Sequence, residues 1–230
     1  GETCALLIMD NFSGFTSVTP LVRKNAESAL QCIKNFVEYI ENKTGNKVKY
    51  FRTDNGTEFD NKRVSEYLAE KGITHEKTAP YTSKGNGRAE RMIRTLKEST
   101  NAMLIQSGLP ESYWSFAIRM ASFNHNRTGR SPFLQSKTSF ELIYGYKPDV
   151  KQLRAFGEKC YAKFDDNPDW RSKAEEGQII GYGDRSECYH VLLKNGAFKE
   201  SRNVSFPSRT RELARRSTST SVQTEESSHD

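Results

Sequence analysis

Between Asn25 and Lys43, apolar side chains fall at positions 26, 29, 30, 33, 36, 37 and 40. They make one continuous helical face, and Gly45 stands behind it as a stop. One short apolar run, Thr3–Asp10, precedes this helix, and another, Val48–Phe51, follows it. A strand, a one-faced helix and a further strand in that order bury the helix face against a sheet. The first part of the chain is therefore expected to be α/β with a parallel component. Phe15–Leu21 alternates after the turn Asn11–Gly14, so it should form a hairpin with the first run, and Pro20 should put it at a sheet edge. Further along, Asp60–Lys71 reads as a helix, Gly72–His75 opens a short strand and Thr78–Asn86 is a turn-rich loop. Gly87–Gln106 reads as a helix with Asn86 as its N-cap, and a second helix should run from about Pro110 to Asn126.

From Leu153 the texture changes. KCYAKF, GQIIGYG, YHVLL and FKESRNVSF are short alternating stretches separated by Gly, Asp and Asn, the pattern of a small antiparallel β barrel. From Pro207 onward the chain lacks aromatics and is rich in Ser, Thr and charge, which predicts a disordered tail. The expected organisation is an α/β core over 1–130, a helical linker over 131–152, a β barrel over 153–206 and a tail over 207–230.

Charge is unevenly placed. The net excess of +6 equals the excess found in residues 61–130 alone, where 12 Lys and Arg face 6 Asp and Glu. A concentrated basic segment fits a polyanionic partner as well as a plain solvated face. The longest clearly apolar run, Cys4–Met9, is far short of the roughly 20 residues of a membrane helix, and no signal-peptide pattern is visible. Four cysteines (Cys4, Cys32, Cys160, Cys188) and four histidines stand apart from one another, so neither disulfides nor a zinc site is expected, and an intracellular setting fits.

Within the basic region two carboxylates stand out. Asp54 lies just past the carboxyl end of a predicted strand, where open α/β sheets place ligands, and Asn55-Gly56 allows a sharp turn there. Glu90 lies in the first turn of a long helix. Carboxylates from such positions can clamp divalent metals for phosphoryl displacement, but an isolated Asp and Glu at this spacing are as readily a turn former and a dipole-stabilising residue.

The surrounding strings decide between these readings. FRTDNGTEF (51–59), GITHEKTAPYTSKGNGRAERMIRTLKE (72–98) and LPESYWSFA (109–117), followed by Asn126-Arg127, FELIYG and LRAFG, resemble in order and spacing the integrases of copia-type LTR retrotransposons. The resemblance covers about residues 1–206. It implies a ribonuclease H-like integrase core lacking its first strand, then an SH3-like barrel, the whole being a fragment of a Pol polyprotein. By the same resemblance Asp54 and Glu90 are the second and third catalytic, metal-binding carboxylates, for Mg²⁺ or Mn²⁺. Arg94 and Lys97, at i+4 and i+7 from Glu90, are expected to contact DNA phosphates, and Lys84 lies in a stretch resembling the active-site loop. Element and target DNA are the implied partners, with a homo-oligomer, no membrane, and action in the nucleus after a passage through cytoplasmic particles.

Asp10 in IMDNFSGF is the tempting third carboxylate. ALLIMDNFSGF matches the second strand of the family, however, and no D-x-x-G-P first strand precedes it, so Asp10 is expected to form a turn. Since the first strand is central in ribonuclease H-like sheets, its absence should leave backbone groups unpaired, at about 1–3 kcal/mol each. The expected function is DNA integration by two-metal 3′-processing and strand transfer in the intact polyprotein, with this chain inactive alone. The alternative is a nucleic-acid-binding remnant without catalysis. A cut-and-paste transposase or a ribonuclease H fits the T-A-P-Y-T and N-G-x-A-E-R blocks less well.

Overall fold

The computed structural model describes residues 1–54, 56–77, 87–164, 174–183 and 188–207. They divide into two compact units, Gly1–Leu153 and Arg154 onward. The first unit opens with the antiparallel pair β1 (Cys4–Met9) and β2 (Thr16–Leu21), in register from Cys4↔Leu21 to Met9↔Thr16. The connecting turn closes through Asp10 and Phe15, and Gly14, at φ 76°, supplies the left-handed residue it needs.

The helical face read at 26–40 becomes α1 (Ala26–Thr44). The Asn25 side chain caps its first turn by accepting from the Ser28 amide, and Gly45, in the left-handed conformation, closes the last turn onto Glu41. Ala29, Cys32, Ile33, Phe36, Val37 and Ile40 are buried along it. Next come β3 (Tyr50–Thr53), α2 (Lys62–Glu70, capped by Asn61) and β4 (Thr74–Lys77), a crossover that makes β3 and β4 parallel neighbours, Tyr50 opposite Thr74. Among the described residues the strands of this unit form two separate pairs, β1 with β2 and β3 with β4. What unites them is a single apolar core under α1: Leu6, Ile8 and Phe15 from the first pair, Ile73 and the partly buried Phe51 from the second, with Val64, Tyr67 and Leu68 of α2.

Three helices complete the unit. These are α3 (Gly87–Ser107), α4 (Trp114–Thr128) and the short α5 (Ser139–Tyr144), which carries a full capping box between Thr138 and Glu141. The expected helix from Pro110 begins instead as a 3₁₀ turn, Glu111–Tyr113, and only then becomes α4. Residues expected to act as a linker are packed into this unit: Phe140 and Ile143 of α5 are buried, and Phe140 stacks on Tyr144 with ring centroids 4.1 Å apart.

β2 makes its second set of bonds not with a strand but with α4. Asn126 accepts from the Thr16 amide at 2.8 Å and donates to the Thr16 carbonyl at 2.7 Å, while Ser122 Oγ lies 2.9 Å from Thr16 Oγ1. One carboxamide thus imitates the donor and acceptor of a neighbouring strand and closes an edge that already contains Pro20.

The second unit is a five-stranded antiparallel sheet in the order β8–β7–β6–β5–β9. Its strands are β5 (Lys159–Lys163), β6 (Glu175–Tyr182), β7 (Tyr189–Leu193), β8 (Phe198–Ser201) and β9 (Asn203–Ser205). The last strand returns to pair with the first, and Cys160, Ala162, Ile179, Ile180 and Val191 are fully buried. The expected tail beyond Pro207 lies outside the described residues.

Candidate functional site

Asp54 is the first residue after β3 and is exposed. Its Oδ1 accepts from the Gly56 amide at 3.2 Å, starting a turn that Phe59 and Asp60 close by donating to the Gly56 carbonyl. A β-carbon at Gly56 would lie 2.7 Å from Glu58 Oε1, so the absence of a side chain there lets the Glu58 carboxylate tuck beneath the turn. Glu58 is only 7% exposed and is held by Lys24 Nζ at 2.7 Å. The hydrogen bond and charge of Glu58, with a further contribution from Asp54, raise the Lys24 ammonium above the usual lysine range. Behind Asp54, buried Thr53 shares a hydrogen bond with His75 of β4 at 2.8 Å, and Lys77 pairs with Asp60 at 2.6 Å. Burial, with the charge of Lys77, pushes the His75 imidazole below its ordinary value.

Glu90 is exposed in the first turn of α3, and Arg94 and Lys97 are exposed further along the same helix. The helix start is tied to the turn after β1 by Arg88, whose guanidinium donates to the carbonyl of Asn11 at 3.2 Å and to its side-chain oxygen at 3.1 Å. Lys84 and the stretch Tyr81–Gly85 lie outside the described residues, as does Asn86. Asp10 spends one carboxylate oxygen inside its own turn, accepting from the Ser13 amide at 2.7 Å and the Ser13 hydroxyl at 2.5 Å. Among the described residues no three His, Cys, Asp or Glu side chains form a metal-binding group. Two exposed carboxylates nevertheless have the donor chemistry of a hard divalent cation such as Mg²⁺, which commonly takes one or two protein carboxylates and keeps several waters.

Sequence reasoning did not assign Lys24, Glu58, His75 or Asn126. Glu58, His75 and Asn126 stand inside the strings that carry the family resemblance, and that was the available signal.

An α/β unit with an aspartate at a strand end and a glutamate in the first turn of a basic helix fits one class, the integrase cores of ribonuclease H-like fold. The integrase core domain family matches residues 1–83. The Pol polyprotein of the tobacco transposon TNT 1-94 is 33% identical over 179 residues, 74% of this chain and 13% of its own length. That of transposon RE1 from Arabidopsis thaliana is 29% identical over 210 residues, 87% of this chain and 14% of its length. A Ty1 Gag-Pol polyprotein of Saccharomyces cerevisiae is 29% identical over 173 residues, 75% of this chain and 10% of its length. In three dimensions, a chain of the simian T-cell lymphotropic virus intasome, solved in complex with PP2A regulatory subunit B56 gamma, superposes with a TM-score of 0.51 at 16% identity. That match covers 87% of this chain and 70% of that one. Over most of its length the chain is a homologue of the Pol polyproteins of copia-type retroelements, and its N-terminal part carries the integrase core domain. It spans 13–14% of the length of the plant polyproteins it matches. Among the described residues β1 and β3 share no ladder.

Proposed function

We propose that this chain is the DNA-joining part of a retroelement integrase, with Asp54 and Glu90 as two of its catalytic carboxylates. The observation that carries the reading is their setting: an exposed aspartate at a strand end, in a turn whose Glu58 is held by Lys24, and an exposed glutamate in the first turn of a helix that goes on to Arg94 and Lys97. Asp54 and Glu90 are the residues that would hold Mg²⁺ or Mn²⁺, and such an ion, when bound, activates a water or a 3′-hydroxyl and neutralises charge on the phosphate. Arg94 and Lys97, with Lys84, orient the substrate by pairing with phosphates on either side of the scissile bond. The partners under this reading are element ends and target DNA, bound by a homo-oligomer acting in the nucleus. The return of β9 onto β5 supports an SH3-like reading of the second unit.

We expect the 230-residue chain by itself to be inactive; among the described residues β1 and β3 each have a single strand partner, and no three His, Cys, Asp or Glu side chains form a metal-binding group. The test is a strand-transfer assay with Mg²⁺ or Mn²⁺. It compares this chain with one joined at its N-terminus to the segment that precedes the corresponding residues in the tobacco relative. The joined chain should transfer strands, and Asp54→Asn or Glu90→Gln should reduce transfer by at least about a hundredfold. Robust transfer by the 230 residues alone would refute the expected inactivity. Full activity of either variant would refute the site. The second reading, nucleic-acid binding without catalysis, predicts DNA affinity in both chains and transfer in neither.

A further inference from the structure

Phe12 and Phe133 are both 55% exposed, although apolar rings of this size ordinarily find cover. Phe12 lies in the turn after β1 and Phe133 in the loop between α4 and α5, yet their rings stack with centroids 5.9 Å apart and planes only 17° from parallel. The guanidinium carbon of Arg88 sits 4.5 Å from the Phe133 ring centroid. The described hydrogen bonds of Arg88 go to the neutral oxygens of Asn11.

The support beneath the rings is rigid. Buried Ser131 donates from Oγ to the Phe12 carbonyl at 3.1 Å and accepts from the amides of Phe133 and Leu134 at 3.3 Å. Ser13, equally buried, is clamped by Asp10. A β-carbon on Gly14 would lie 2.9 Å from Pro132 Cδ, so turn and loop are in close contact. The rings are thus fixed before any ligand arrives, two residues before Glu90 along α3 for the guanidinium and two residues after Asp10 for Phe12.

From this we infer that Phe12, Phe133 and Arg88 form a stacking platform for an unpaired base of a DNA strand held at the Glu90 end of α3. An exposed aromatic face beside a cation is how proteins hold single-stranded nucleic acid, and the stacking needs no particular base. Bases inside a duplex present their edges to a protein, whereas an unpaired base offers its face. The charge favours a polyanion over a neutral partner, since Arg91, Arg94 and Lys97 follow Arg88 on the same helix. The inference rests on the DNA-binding reading above and adds a site to it, for a strand end rather than for duplex.

The experiment uses the whole 230-residue chain and two hairpin duplexes, one blunt and one carrying a two-nucleotide overhang of 5-iodouracil. Fluorescence anisotropy should show the overhang bound about tenfold more tightly than the blunt end. Phe12→Ala and Phe133→Ala should remove that preference and leave blunt-end affinity unchanged, whereas Phe133→Trp should keep it. Photo-cross-linking of the unmutated chain, read by mass spectrometry, should attach the iodouracil to Phe12 or Phe133, which gives an answer even if the alanine variants fold poorly. Equal affinity for both duplexes with cross-links elsewhere overturns the platform and leaves DNA binding standing. No binding to either duplex overturns both.

Discussion

Replacing Asn126 with alanine isolates the bond set that closes the outer edge of β2. The carboxamide accepts from the Thr16 amide at 2.8 Å and from Thr16 Oγ1 at 3.1 Å, and it donates to the Thr16 carbonyl at 2.7 Å. Ser122 Oγ reaches the same carbonyl at 3.2 Å and the same hydroxyl at 2.9 Å, so both keep a partner in the variant. The Thr16 amide does not. Thr16 is buried, and an orphaned buried N–H costs about 1–3 kcal/mol, to which the net loss of the other bonds adds about 1 kcal/mol. The expected destabilisation is therefore about 2–4 kcal/mol, a large share of the roughly 5–15 kcal/mol that holds an ordinary domain together. Urea unfolding followed by the fluorescence of Trp114, which starts α4, reads this unit directly when Trp170 is replaced by Phe. The midpoint should fall by about 1 M or more with the slope unchanged. Ser122→Ala should cost much less, since Asn126 still serves every Thr16 group. A shift below about 0.5 kcal/mol for Asn126→Ala, or equal shifts for the two variants, would refute the view that the carboxamide stands in for a strand.

Two further outcomes follow from the site. Lys24→Glu should lower the melting temperature clearly more than Lys24→Met, because it sets a second negative charge against the nearly buried Glu58 and near Asp54, whereas Met only leaves Glu58 unpaired; equal effects would show that Glu58 is not held by that charge. Burial pushes both His75 and His125 below the ordinary imidazole value of 6.5, so the unfolded chain takes up protons first. Their contribution to stability is then complete above pH 6.5 and is lost as the pH falls from there through the depressed folded values. Urea midpoints measured across that range should decline with acid, and His125→Gln should flatten the decline; a slope identical to that of the parent chain would show that His125 does not contribute.

Much of the fold was legible because it is local. The face of α1 and its Gly45 stop lie within some twenty consecutive residues, and the hairpin is written in one turn and two short runs. The positions of Asp54 at a strand end and Glu90 in a first helical turn were legible for the same reason. The 3₁₀ start of α4 was not, since a proline marks a helical first turn without fixing which kind of turn it is. The braces were hidden for a different reason. Lys24 meets Glu58 across the whole of α1, Phe12 meets Phe133 from the far end of the unit, and Asn126 finds Thr16 across 110 positions. Such pairs leave no period in the sequence, and a single Asn or Lys looks the same whether it clamps a strand or faces water. The strings of the family resemblance marked Glu58 and Asn126 without saying what either touches.

The division of the first unit's strands into two pairs gives α1 a task that helices seldom carry. In a continuous sheet, backbone ladders would make the two halves melt together. Here the described strands offer no such ladder, and the two pairs meet in one apolar cluster to which α1 contributes Ala29, Cys32, Ile33, Phe36, Val37 and Ile40. Cooperativity between the pairs therefore rests on that cluster, to which Ile33, Phe36 and Val37 belong. Loosening it would do more than weaken the unit: it would release the half that bears Asp54 to unfold separately from the half that bears Asp10.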